Sequence, residues 1–483
     1  MTNSCTRRNF LAGLGASAAT LALTRNLWAA DPTRPNILLI TADDMGYRSL
    51  GVTGCKVPDI TSNLDALARQ GMLFTQAHVT IAVCQPCRSV LMTGRYPHRN
   101  GAMGFEPINP DVPTLRQSLS EAGYFNGIMA KVSHLAPQPA FKWDVVIDAN
   151  ELGQGRDPKL YYKRAAEFFS RAKTEGKPFF LMANSQDPHR PFAGSDGEKN
   201  AAAKRKGAVF PGVTRTYKPE EVDVPDFLPD LPDVRKELAQ YFTSVHRCDE
   251  TVGEILRALK ESGQEENTVV FFLSDNGISI PWAKTNCYLH STRTPLIVRW
   301  PGKIKPGSKN EDDLVSGIDF MPTVLDICGV KQVSGVDGRS YLPLLAGKKQ
   351  TGRDKVFTQF WQTSARKDFP MACVRTKRYS YIFNAWSDGT TEFRNEPMGG
   401  LAWKAMVAAA PSDKRIAERV DFFLHRAPEE LYDIESDPCE TKNLIADPKY
   451  KDQLAKMRAE LLEMMASTRH PVLDRFKKHI GRG

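Results

Sequence analysis

The chain has 483 residues, 41% hydrophobic and 25% charged, which excludes a disordered or fibrous protein and gives length for one large core and a smaller satellite domain. Nine cysteines at irregular spacing exclude a dense disulfide framework while leaving room for a bridge or two. The formal charge of +9 suits an acidic partner, and without a recognisable nucleic-acid module an anionic polysaccharide fits better than nucleic acid.

Residues 1–30 differ from the rest. "TRRNFLAGLGASAATLAL" joins Arg7 and Arg8 to an apolar stretch of about 13 residues, too short to span a bilayer and laid out as a cleavable signal. The arginine pair resembles a twin-arginine translocation signal. The resemblance implies a protein exported to the periplasm or beyond, with no stable membrane anchor after cleavage near Ala29 or Ala30.

Four apolar runs read as buried strands of a parallel sheet: "NILLIT" from Asn36, "YFNGIMA" from Tyr124, "PFFLMA" from Pro178 and "TVVFFL" from Thr268. Helical patterns at Asn63–Gln70, Pro113–Ala122, Lys159–Lys173 and Leu238–Ser262 alternate with them, which predicts an α/β domain over 31–352. The proline-punctuated stretch "YKPEEVDVPDFLPDLPDVRKEL" reads as a surface connector leading into the last of these helices. Beyond Gly352, "MACVRT", "KRYSYIF" and "EELYDI", followed by a terminal helix from Lys449 to Met465, predict a smaller α+β domain over 353–483.

Each strand is followed by polar residues: Asp43 and Asp44, then Lys131 and His134, then Asp187 and His189, then Asp275 and Asn276. If the strands are parallel, these clusters meet on the rim where open α/β sheets bind ligands. Two carboxylate-rich pairs offer hard oxygen ligands for Ca²⁺ or Mg²⁺. A single such pair more often caps a helix or turns the chain; two at strand ends shift the balance to a metal.

The stretch "CQPCRSVLMTGR" from Cys84 lacks the fold context of a thioredoxin-like pair and the extra ligands of a structural zinc. As C-x-P-x-R, with Cys84, Pro86 and Arg88, it resembles the signal by which sulfatases have a cysteine oxidised to formylglycine. "PNILLITADDMG", "LDALARQGMLFTQAH", "LSDNG" and "ELYDIESDPCETKNL" extend the resemblance to the formylglycine-dependent sulfatases of the alkaline phosphatase superfamily over nearly the whole mature chain. It implies a large, mostly parallel sheet sandwiched by helices, with an antiparallel sheet in the C-terminal domain. It also implies that Asp43, Asp44, Asp275 and Asn276 hold a divalent cation, usually calcium, with modified Cys84 completing the shell. Arg88 and Lys131 would steady the formylglycine and sulfate, and His134, His189 and Lys284 would line the sulfate pocket. A formylglycine-generating enzyme is then a partner during maturation.

The chain departs from the family in having Ala130 before Lys131 where glycine is common, and in placing His134 three residues after that lysine rather than two. An aldehyde hydrate supplies one oxygen to attack sulfur and a second to expel sulfate. A helix N-terminus before "RSVLM" would turn N–H groups toward an anion, while His189 suits a general acid and His134 a base. The short run to Lys284 and the following Thr285-Asn286-Cys287-Tyr288, with "DPHR" at Asp187–Arg190, resembles the heparan N-sulfatases, or sulfamidases. An O-sulfatase, a phosphonate monoester or phosphodiester hydrolase of the same superfamily, and an inactive glycan-binding relative are the other readings. The intact metal and cation set argues against the last.

Overall fold

The computed structural model describes residues 34–204 and 209–481, so the expected signal of residues 1–30 lies outside the described residues. No helix among the described residues is long and apolar enough to cross a membrane.

The main sheet has eight strands: β1 (Asn36–Asp43), β2 (Met72–Phe74), β3 (Phe125–Met129), β4 (Val145–Ile147), β5 (Phe179–Pro188), β6 (Thr268–Ser274), β7 (Leu296–Arg299) and β8 (Ser308–Asn310), in the order β4-β3-β5-β1-β6-β7-β2-β8. Every residue of β1 is buried, as a central strand covered on both faces requires. β5 and β6 flank β1 in parallel, and β3 continues the parallel set on β5. The four apolar runs are therefore the centre of the sheet, and their carboxyl ends share one rim. β7 runs antiparallel to both β6 and β2. The strands of this sheet absent from the sequence reading have three or four residues each, too short for a periodicity to show.

Helices α1 (Ser62–Gln70), α2 (Cys84–Thr93), α3 (Leu115–Glu121), α4 (Pro158–Thr174) and α5 (Pro232–Glu261) follow the expected alternation. α5 begins six residues before the expected Leu238, because Pro232 fits the first helical turn, where its missing N–H costs nothing. The stretch before it is no mere surface connector: Tyr217, Val222, Phe227 and Leu228 are all buried, and Phe227 packs on the His290 ring at 4.6 Å.

A separate antiparallel sheet comprises β9 (Lys355–Gln362), β10 (Asp368–Thr376), β11 (Tyr379–Asn384) and β12 (Glu429–Asp433). Helix α8 (Lys451–Thr468) covers it, burying Met457, Leu461 and Met465 with Val374, Phe383 and Leu431. Between β11 and β12 lie a single turn, Glu396–Gly399, and two helices, α6 (Leu401–Ala409) and α7 (Lys414–His425), none of which the sequence reading placed. α6 packs on α5. Of the eight cysteines of the described residues seven are buried, and among them Cys248, Cys287 and Cys373 serve as small apolar core groups.

Candidate active site

The pairing of β1 with β5 shifts register between Thr41 and Asp43, and Asp44 takes a left-handed φ of 68°. The chain thus turns sharply where two carboxylates stand side by side. The Asp44 N–H donates to Asp275 Oδ1 at 3.1 Å and the Asn276 amide donates to Asp44 Oδ1 at 2.7 Å, tying the end of β1 to the end of β6.

Cys84 is the first residue of α2, after an extended Val83 whose carbonyl accepts from Cys87 N–H. Pro86 lies in the first turn, where a helix tolerates a residue without an N–H. Arg88 follows one turn on, on the same side of the helix as Cys84. Its buried guanidinium donates to Thr41 Oγ1 at 2.8 Å, Asn184 Oδ1 at 2.5 Å and Asp275 Oδ2 at 2.8 Å. Arg88 therefore pins α2 to β1, to β5 and to the residue that follows β6. Burial pushes the Cys84 thiol well up, with Asp43 and Asp275 adding to it against the pull of Lys284. Burial does the same to Cys87. Thiols raised in this way are poor partners for thiolate exchange.

Three cations face three carboxylates. Lys131, in a left-handed turn after β3, pairs with Asp43; Lys284 lies 2.9 Å from Asp44; Arg88 holds Asp275. Burial alone would raise the Asp43 carboxyl, but Lys131, His189, Arg88 and Lys284 together hold it well below the usual range. Burial, then Asp43, push the Asp275 carboxyl up to about 8 against Arg88. Crowded carboxylates cannot all ionise without further positive charge.

His189 donates from Nδ1 to the Arg190 carbonyl, which fixes the tautomer and leaves Nε2 to exchange a proton with a ligand. Nε2 lies 3.9 Å from Asp44 and 3.6 Å from Glu396. His134 sits in a short 3-10 turn with its buried Nδ1 unpartnered; burial, then Lys131 and Arg88, push it down to about 2, so the imidazole is neutral. The Glu396 carboxylate reaches Lys284 at 3.0 Å, and although burial would raise it, Lys284 and His189 pull it down to about 2.

The structure thus gathers Asp43, Asp44, Cys84, Arg88, Lys131, His134, His189, Asp275, Asn276 and Lys284 around one point of the rim. Asp187, which the strand-end pattern grouped with them, instead faces Arg156 and Arg247, the latter at 2.6 Å. Its role is structural. Asp187→Ala leaves two buried guanidiniums without their shared carboxylate and is expected to cost about 3–5 kcal/mol, read as a lower Tm in thermal denaturation. Arg190 and Asn286 are likewise committed: Arg190 donates to Glu237 at 2.7 Å, and Asn286 Oδ1 accepts from Arg426 at 3.0 Å. Both therefore brace the segments that carry His189 and Lys284.

Sequence reading missed Thr41, Asn184 and Glu396. Asn184 had a signal, a buried amide inside an apolar strand that must find partners. Glu396 had none, since it arrives from a turn 112 residues after Lys284.

Ligand atoms of Asp43, Asp44, Cys84 and His189 all lie within 4.8 Å of one another. Asp43 Oδ1 and Asn276 Oδ1 are buried without a hydrogen-bond partner. Orphaned hard oxygens amid crowded carboxylates fit a divalent cation of the Ca²⁺ or Mg²⁺ type.

A family model described as "Sulfatase" matches residues 35–330, and one described as "N-sulphoglucosamine sulphohydrolase, C-terminal" matches residues 281–393. The human N-sulphoglucosamine sulphohydrolase is 30% identical, with 94% of each chain covered. An ulvan-active sulfatase of Formosa agariphila is 27% identical over 89% of this chain and 74% of its own. A protein solved in complex with its substrate D-glucosamine-2-N,6-O-disulfate superposes with a TM-score of 0.69 at 19% identity, covering 92% of this chain and 99% of the other.

Proposed function

Because the chain belongs to the sulfatase family, we propose that this enzyme removes the N-sulfate of glucosamine from heparin-like saccharides. The observation that carries this reading is the match of residues 281–393, which include Lys284 and the approach to Glu396, to the C-terminal model of N-sulphoglucosamine sulphohydrolases. In the proposed chemistry Asp43, Asp44, Asp275 and Asn276 hold calcium, which supplies a Lewis acid for the sulfuryl oxygens. Cys84, matured to formylglycine by a generating enzyme, supplies a geminal diol whose two oxygens first accept and then release sulfate. Lys131 and Lys284 offset the charge of the sulfate, Arg88 fixes the helix that carries residue 84, and the site's burial keeps these charges effective. His189 protonates the leaving nitrogen from Nε2, and His134 is the base at Nδ1 for the expulsion of sulfate, the bound anion offsetting the Lys131 and Arg88 charges that otherwise help to hold its basicity down. Residues 1–30 would direct export, 31–352 carry the chemistry, and 353–483 close the pocket.

The test is purified, formylglycine-verified enzyme on N-sulfated and 6-O-sulfated glucosamine and on an aryl sulfate. The N-sulfate is expected to be preferred in kcat/KM by about 1,000-fold or more, since a misplaced sugar leaves buried polar groups unpaired. His189→Ala is expected to cost about 100- to 10,000-fold on the sulfamate, whose amine must be protonated as it leaves, and much less on the aryl sulfate. Preference for the 6-O-sulfate would move the assignment to an O-sulfatase.

A further inference from the structure

A pocket built to hold sulfate has an unexpected occupant. Glu396 places an ionised carboxylate among its cations, with Oε2 3.0 Å from Lys284 Nζ and Oε1 3.6 Å from His189 Nε2. Its side chain keeps 28% of its surface exposed, so it is not sealed behind Lys284. Lys284 does not need it, since Asp44 already balances that ammonium at 2.9 Å. A surplus carboxylate repels an incoming sulfate. The site gains from it only if the substrate brings a donor or a positive charge to the same place.

The turn that carries Glu396 is held firmly. Asn395 donates to Thr285 Oγ1 at 2.7 Å, next to Lys284 in the chain. Gly400 closes the turn against the Arg190–Glu237 ion pair so tightly that a Cβ there would overlap both side chains. Arg190 adjoins His189 in sequence, so the turn is registered against both the histidine and the lysine of the pocket.

We propose that Glu396 is a specificity-determining residue that recognises the substrate nitrogen, accepting a hydrogen bond from the sulfamate N–H and pairing with the ammonium that replaces it. This rests on the N-sulfoglucosamine reading. As the S–N bond breaks, its electron pair stays on nitrogen and the sulfuryl group passes to the nucleophile at position 84. Nitrogen takes one proton from His189 Nε2, and the free amine then takes a second from water to become the ammonium. Glu396 lies within 3.6 Å of the same Nε2, on the side where that positive charge appears. An O-sulfate leaves an alcohol instead, which has no charge for the carboxylate to meet, so the residue separates sulfamates from sulfate esters.

The test is Glu396→Gln, which keeps the size of the side chain and removes its charge. Expected are a fall of about 10- to 100-fold in kcat/KM on N-sulfoglucosamine, the worth of a charge-assisted hydrogen bond, and an unchanged or higher rate on an aryl sulfate. Inhibition by glucosamine is expected to be stronger than by N-acetylglucosamine in the unaltered enzyme, and equal in the variant. Equal losses on sulfamate and aryl sulfate would overturn the proposal and reduce Glu396 to a positioning group for Lys284. Loss of the inhibition difference in the variant would uphold nitrogen recognition even if the unaltered enzyme preferred an O-sulfate, an outcome that removes the N-sulfoglucosamine reading alone. Persistence of that difference in the variant would sink the proposal whatever the substrate preference.

Discussion

Cys84→Ala is expected to abolish turnover of sulfamates and sulfate esters alike, by at least about 10,000-fold, the scale seen when a covalent nucleophile is removed. The site leaves no substitute. Cys87, the next thiol on α2, is buried and held protonated, and the other groups around Cys84 are cations, carboxylates already paired, and the histidines His134 and His189 assigned to proton transfer. The fold should survive, because position 84 opens a helix and alanine keeps its backbone. Cys84→Ser is the sharper variant. A serine offers one oxygen, so it can take up a sulfuryl group but has no second oxygen to expel it. Mass spectrometry of the peptide spanning residue 84 must show that the serine is unmodified, and an unaltered circular dichroism spectrum that the chain is folded. Steady turnover by such a protein would remove the proposed chemistry of residue 84.

What the sequence disclosed followed from where physical constraints are local. The central strands were legible because burial on both faces demands continuous apolar runs, which Ile37–Ile40 supply in β1 and Val269–Leu273 in β6. That the two carboxylate-bearing pairs meet was legible because parallel strands send their carboxyl ends to one rim, so Asp43 and Asp275 could be brought together without coordinates. Edge strands such as β4 and β8 were not, since three residues cannot display a period. Asp187 misled because a carboxylate at a strand end looks the same whether it faces a ligand or two arginines from distant segments. Arg247 lies 60 residues on, in a helix whose polar positions gave no hint of direction. The same blindness hid Glu396, whose meaning comes wholly from its neighbours.

Metal removal is the second large effect expected, and the pairing of charges around the rim says why it should weaken the sulfate site rather than only the protein. Lys131 and Lys284 stand against Asp43 and Asp44, Glu396 adds a third carboxylate beside Lys284, and Arg88 faces an Asp275 carboxyl that burial and Asp43 push up to about 8, so the rim is close to neutral before any ion arrives. A divalent cation then leaves the rim with net positive charge in a buried place, where an anion is attracted most strongly. Metal and sulfate should accordingly bind cooperatively. A chelated, metal-verified-free enzyme is expected to lose activity by about 1,000-fold or more, and inorganic sulfate should inhibit the calcium-loaded protein far better than it binds the stripped one. Calcium should also raise Tm in proportion to the logarithm of its concentration above Kd, since only the folded chain assembles the ligands. Asp275→Asn probes the same point more gently than Asp275→Ala, because the amide oxygen can still meet Arg88. It should weaken calcium in a titration of Tm while leaving the stripped protein about as stable as before. Full activity in the verified metal-free enzyme, or sulfate binding indifferent to calcium, would make the three acid–base pairs a structural feature of the rim and leave the orphaned oxygens of Asp43 and Asn276 without a ligand to explain them.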